Sequence, residues 1–462
     1  MSGPRYAPRL VGLAVLLGGS LLAGCGDQDT GGSGNELTVW SLENLAPRMA
    51  ATERTIARFE EASGVEVELV GVAEAQLPQL IMSAAAAGDL PDVIGALPMG
   101  QLWQMHGNEL LDTEAATRIV RDLDPGTFNA NALDLTTDAG RNLAVPSDAW
   151  LQLLVYRQDL LDAAGLDVPD TYQALTAAAQ ALTTDDRYGI SLATDPADPF
   201  TQQSFESLAV ANDCRLVDDA GDVTLDSDAC REVFAVYDAL AREFGAPGTQ
   251  TVDSTRATYF AGDSAMIVWS SFILDELAGL RADALPSCPE CEGEFLAERS
   301  EIVTALQGPD SAEPAQFGEI TSWALTAGSN TGPASDFVEF MLTDGYEDWF
   351  GMAPEGKIPV RNGTPEEPER FQTAWRESEF GIDTRKPMNE VFSDDLLTQF
   401  LGGVSDMRRW GVTEGHGALV GALNGELPVP RVVSDMTAGG SSPDEAAESA
   451  QDAVSEIQIS LQ

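Results

Sequence analysis

Histidine is nearly absent: His106 and His416 are the only two in 462 residues. That leaves little room for Ser-His-Asp chemistry, and no Gly-x-Ser-x-Gly elbow is present. Basic residues are scarce as well, with 25 Lys and Arg against 75 Asp and Glu, for a formal net charge of −50. A surface this negative repels phosphate backbones and anionic headgroups, which argues against nucleic acid as a partner and against polybasic membrane contact. The carboxylates are scattered and not gathered in one tail, as suits a solvated surface at high salt. Long apolar runs are missing too. Leu10 to Leu22 falls short of the roughly 20 residues that span a bilayer.

That short run is informative in its context. Arg5 and Arg9 precede it, and it ends in Leu22-Ala23-Gly24-Cys25, which resembles the lipobox of bacterial lipoproteins. The resemblance implies a leader over 1–24, a lipid on Cys25 and attachment to the outer face of the membrane. Residues 25–35 are polar and Gly-rich, a flexible tether. Loss of Arg5 and Arg9 with the leader takes the net charge from −50 to −52. Cys214, Cys230, Cys288 and Cys291 remain, an even number in an oxidising compartment, which allows three connectivities. The two local pairs, Cys214–Cys230 and Cys288–Cys291, are the expected ones. The Cys288-x-x-Cys291 spacing has no second CxxC to complete a zinc site, so it predicts a loop clip and no metal.

From residue 36 strands and helices alternate. Leu37-Thr38-Val39-Trp40 predicts a strand, a helix follows from about Met49 to Gly64, and Val65–Leu69 alternates with period two. Leu77–Ala87 predicts a second helix closed by Gly88, and Pro91-Asp92-Val93-Ile94 opens a third strand. This is a βαβαβ unit around a parallel sheet, whose ligands bind beyond the strand C-termini. A second unit begins with strands near 142–156, a helix after Pro169, a strand at Tyr188-Gly189-Ile190 and a helix through Val233, Tyr237 and Leu240. Asp218–Asp228 lacks the glycine and glutamate of an EF-hand and predicts a solvated hairpin. Gly351–Lys357 mimics a phosphate loop, but Ile358 stands where Ser or Thr must be and Pro354 removes an amide.

The order of segments resembles family 1 of the extracellular solute-binding proteins, the group that includes maltose-binding protein. The resembling runs are Leu37–Trp40, Leu90–Val93, Ala144–Trp150, Val155–Leu166, Phe260–Met266 and Gly356–Arg361. The resemblance implies an α/β, two-lobed periplasmic-binding-protein-like fold of type II, with discontinuous lobes joined by a hinge. It places lobe 1 at 36–145 with 307–345, and lobe 2 at 146–306 with 346–462. It also implies a monomeric binding protein without a cofactor, serving the permease subunits of an ABC importer. A sugar is the expected solute; a polyamine, peptide or metal on the same fold is the alternative, and a glycoside hydrolase the one enzyme class left open by abundant carboxylates.

A sugar site combines planar polar groups with aromatic plates. By resemblance Trp40 and Trp323 lie on the first lobe, Trp150 and Trp269 on the second. Glu43 and Asp148 are the chosen hydroxyl acceptors, with Ser41, Ser270, Glu319, Thr321 and Arg361 as further ligand-binding candidates; no catalytic residue is expected. Cys25→Ser should release the protein from membranes without changing solute affinity. Membrane retention of that variant, followed by fractionation and immunoblot, would show that the leader is misread.

Overall fold

The computed structural model describes residues 35–282, 284–288 and 295–461. The leader and the tether as far as residue 34 lie outside the described residues, as does Cys291 and with it the expected Cys288–Cys291 pair. Cys214 and Cys230 are bonded, with Cα atoms 4.6 Å apart.

Strand β1 (Glu36–Ser41) turns Leu37, Val39 and Ser41 inward and pairs in parallel with β2 (Glu66–Gly71) and β3 (Val93–Pro98). The helices between them are Ala46–Ser63, which starts at Ala46 rather than about Met49, and Leu77–Ala87. Each ends on a glycine in the left-handed region, Gly64 and Gly88, where the absence of Cβ removes the steric penalty. The βαβαβ reading therefore holds.

The expected strands near 142–156 form one 13-residue strand, β4 (Val145–Arg157), buried along its length except at Trp150. Its second half pairs antiparallel with β5 (Met266–Ser270) and β6 (Ser300–Val303). Its first half pairs antiparallel with β7 (Gln316–Leu325), and β8 (Ile358–Pro359) adds on the other side. The sheet order is β8–β4–β7–β3–β1–β2. A single strand thus belongs to both halves of the molecule, and β7 connects it to the parallel unit. This gives the α/β two-lobed architecture. Tyr188–Ile190 does not form a strand; Tyr188 and Ser191 make isolated bridges to Ser264 and Ile267. No helix among the described residues is long and apolar enough to cross a membrane.

Two irregularities shape the centre of the sheet. The β4–β7 register shifts between Pro146 and Asp148, so Ser147 is an extra residue, and Pro146 has no amide to lose there. The β3–β7 register shifts between Ile94 and Leu97, and within that shift Ala96 adopts φ 55°. Beneath it Trp323 is fully buried, 4.5 Å from the Trp349 ring and 5.6 Å from Phe337. A Cβ built on Gly95 would lie 2.3 Å from the Trp323 ring. Since Trp349 and Phe337 hold that ring, Gly95→Ala should cost about 1–3 kcal/mol of unfolding free energy, the usual penalty of overpacking. Chemical denaturation showing wild-type stability would mean that the ring has room to move.

Candidate functional site

A cleft of about 820 Å³ opens between the lobes beside these bulges. That volume is within the range of small-molecule sites. The loop after β1 supplies Glu43, the following helix Arg48, and the turn before the next helix Glu74. Ala96 and Pro98 come from β3, Asp148 and Trp150 from β4, Glu319 and Thr321 from β7. Across from them stand Asp198, Phe200, Ser270 and Phe272. Bulges next to a site re-aim side chains, and here the extra residue Ser147 directly precedes Asp148.

The floor is charged and dry. Lys357 is fully buried, with Nζ 2.7 Å from Glu43 Oε1, 3.2 Å from Asp148 Oδ2 and 4.1 Å from the Trp349 ring centre. Arg48 pairs with Glu43 at 2.9 Å and with Glu355 at 3.7 Å, and its guanidinium lies 5.1 Å over the Phe272 ring. A Cβ on Gly356 would collide with that same ring at 2.0 Å, so glycine is required beneath it. Further along, Arg409 joins Glu206 at 3.1 Å and Glu319 at 2.8 Å, all three buried. Burial alone would raise the Glu43 carboxyl, but Lys357 and Arg48 outweigh it and lower it to about 2. Glu355 has the weaker partner: burial and the Asp275 charge push it up to about 8.

Of the residues singled out from sequence, Glu43, Asp148, Trp150, Ser270, Glu319 and Thr321 line the cleft. Their roles divide. Asp148 accepts from Ser147 Oγ at 2.7 Å, Thr321 Oγ1 at 2.6 Å, Trp349 Nε1 at 2.6 Å and Lys357, so its oxygens are committed within the protein. Glu319 accepts from the Met99 amide at 2.8 Å besides Arg409. Trp150 is half-buried and presents its ring to the cleft with Phe317 6.2 Å away.

The others are not among the cleft residues. Trp323 is core, as described above. Trp40 points to the face opposite Val39 and Ser41 and packs on the core, and Ser41 is fully buried with its hydroxyl accepting from the Glu43 amide at 3.2 Å. Trp269 donates to the Val252 carbonyl at 3.2 Å and backs Phe200 at 5.6 Å. Arg361 is buried, donating to Thr127 Oγ1 and to the Leu123 carbonyl, both at 3.1 Å, which makes it a brace between segments.

Sequence reasoning missed Arg48, Glu74, Gln101, Asp198, Phe200, Phe272 and Lys357. The phosphate-loop mimic was the one signal available, because Lys357 and Lys386 are the chain's lysines and Lys357 ends that run. Gln101 is 4% exposed and Ser270 8%, both line the cleft, and neither side chain has a hydrogen-bond partner among the described residues. Glu74 is water-exposed, yet that surface lies inside the cleft and protein surrounds it. This enclosure, with the like charges of Glu319, Asp198 and Glu43, raises it to about 7.

Unfolded glutamates ionise near pH 4.3, so from about pH 5 to 8 the folded state holds protons on Glu74 and Glu355 that the unfolded chain has released. Stability should therefore fall as pH rises through that window. Glu43 works the other way, its contribution being lost only as pH drops towards 2. Glu355→Gln should flatten the decline of the unfolding midpoint between about pH 5 and 8; a variant with the wild-type slope would contradict this assignment.

Comparison with known proteins gives a consistent picture. The chain is similar to the putative ABC transporter periplasmic-binding protein YcjN of Escherichia coli, 26% identical over an alignment of 441 residues that covers 93% of this chain and 94% of that protein. Among solved structures it is similar in fold to maltose-bound MalE3 of T. maritima, at 15% identity and TM-score 0.69, covering 91% of this chain and 99% of the other. The GacH receptor of Streptomyces glaucescens, solved unliganded and with acarbose, gives 20% identity and TM-score 0.69 over 91% and 98% of the two chains. The family described as bacterial extracellular solute-binding protein matches residues 54–376, which hold most of the sheet and much of the cleft lining, though not Glu43 or Arg48. This chain belongs to the bacterial extracellular solute-binding proteins.

Proposed function

We propose that this protein is the substrate-binding component of an ABC importer and that it captures a sugar or oligosaccharide in the cleft between its lobes. The observation that carries this reading is the pairing of aromatic plates with buried, unpartnered polar groups. Trp150, Phe200 and Phe272 offer apolar faces to the C–H side of a sugar ring, while Gln101 and Ser270 offer hydrogen bonds that the protein does not use. The similarity to structures named for maltose and for acarbose supports the same solute class.

The lobes would be 36–145 with 307–345 and 146–306 with 346–462, with β4 as the crossover, since it bonds β7 up to Leu151 and β5 from Gln152 on. The first residues after 346 pack instead on the first lobe, Trp349 against Trp323 and Ile358 opposite Ala149, in the half of β4 that bonds β7. Closure is a hinge motion about β4 and β7. Lipid attachment at Cys25 would keep the receptor near its permease, with the acidic surface solvated and the molecule monomeric. Glu43, Asp148, Glu319 and Thr321 then act as the wall that fixes the floor, and Trp150 and Ser270 as direct solute contacts.

Calorimetric titration with a panel of mono- and oligosaccharides tests the reading. At least one should bind, and Trp150→Ala should weaken that sugar by about 2 kcal/mol, the usual loss at an aromatic hot spot, or about thirtyfold in Kd. The unfolding midpoint of the unliganded variant should stay near wild type, because the ring is only half-buried. Full affinity in a folded Trp150→Ala protein would remove this residue from the site, and silence across the whole panel would remove sugars.

A further inference from the structure

The cleft carries more negative charge than its floor neutralises. Glu43 and Asp148 are matched by Lys357, Glu43 also by Arg48, and Glu319 by Arg409. Glu74, Asp195 and Asp198 also line the cleft, and among the described residues none has a cation within salt-bridge distance. Arg48, the cationic residue on the wall, is already held by Glu43 and Glu355.

The two most telling carboxylates come from opposite lobes. Glu74 opens the short turn Glu74–Gln76 ahead of the Leu77–Ala87 helix, and its side chain makes no hydrogen bond among the described residues. Asp198 caps the Pro199–Ala211 helix, accepting from the Phe200 amide at 3.0 Å through Oδ1. The two are close enough for Asp198 to repel a negative charge on Glu74. Closing the lobes around a neutral solute leaves Glu74 and Asp198 to repel each other as anions in a space losing water, or obliges Glu74 to take up a proton. A cation seated between them converts that repulsion into two attractions.

The same space holds two independent ligand-pointing features: the unpartnered, nine-tenths-buried side chains of Gln101 and Ser270, and the Phe200 and Trp150 rings. Amide and hydroxyl suit a polyol, and aromatic faces beside carboxylates also suit an ammonium through cation–π attraction.

Resting on the sugar reading, we propose that the preferred solute is an amino sugar with a free ammonium, held between Glu74 of one lobe and Asp198 of the other while Gln101 and Ser270 take its hydroxyls. The ammonium makes closure favourable, so the charge acts as the specificity gate of the receptor.

Matched probes test this: glucose, N-acetylglucosamine and glucosamine, with the β-1,4 disaccharides of the last two, titrated calorimetrically at about pH 7, where the free amine is still largely protonated and the Glu74 carboxyl is about half ionised before the ammonium arrives. The amine forms should bind about tenfold or more tightly than either neutral form, as charge-assisted hydrogen bonds are about twice as strong as neutral ones. Glu74→Gln and Asp198→Asn should each bring that ratio close to one; both variants should fold, since Glu74 is exposed within the cleft and Asn retains the helix cap. Neutral sugars binding as tightly as amines, or a ratio that survives Glu74→Gln, would overturn the ammonium gate and leave the sugar reading standing. No heat from any of these sugars, with binding of a linear diamine such as 1,5-diaminopentane, would overturn the sugar reading and this inference with it.

Discussion

A single buried ammonium ties together the parts of this molecule that must meet. Lys357 Nζ is shut off from water and touches the loop after β1 through Glu43, the bulged crossover strand through Asp148, and the Trp349 ring. An ammonium in such a place is tolerated only with full compensation, because losing its hydration costs several kcal/mol. Two carboxylates and an aromatic face supply it. The reverse also holds: Glu43 and Asp148 are acidic side chains buried beside a solute cleft, and both face Lys357, with Arg48 as a second cation for Glu43. Remote segments of the chain are thereby held in one arrangement.

From that floor the rest of the cleft follows. With Glu43 shared between Lys357 and Arg48, the Arg48 guanidinium is positioned over Phe272 and sets one aromatic wall. Because Asp148 is occupied by Thr321, Trp349 and Lys357, the β4–β7 bulge is pinned and Trp150, two residues on, stays turned to the cleft. Polar groups left over after this internal pairing, Gln101, Ser270 and Glu74, are then the ones available to a solute. Recognition and architecture use different members of one crowded set of side chains.

Much of the fold was legible because it rests on local pattern. The alternation in β1, the Leu77–Ala87 helix with its terminal glycine, and the order of six short runs all report on a few neighbouring residues. The site was legible only in part. Glu319, Thr321 and Trp323 share one face of β7, yet the cleft reaches the first two while Gly95 and Trp349 cover the third. Period two tells which face a residue is on, not how far along the strand the solvent extends. Trp269 shows the same limit, with its neighbour Ser270 on the cleft and its own ring behind Phe200. Arg48, Glu74, Asp198 and Phe272 come from separate loops and helices that meet only through long-range strand pairing, and no spacing in the sequence joins them. Ala96 in the left-handed region is another consequence of tertiary register that local preference would not foresee.

The most direct test of this account is the stability of Lys357→Met in denaturant at neutral pH. Methionine fills comparable space without charge, so the change isolates the ammonium from the packing of the side chain. If Lys357 compensates Glu43 and Asp148 as described, its removal leaves Asp148 buried without a cation and Glu43 with Arg48 alone, and should cost about 3–5 kcal/mol. An unfolding free energy within about 0.5 kcal/mol of wild type, the range of ordinary surface substitutions, would show that the carboxylates do not depend on it and that the cleft floor is held by something else.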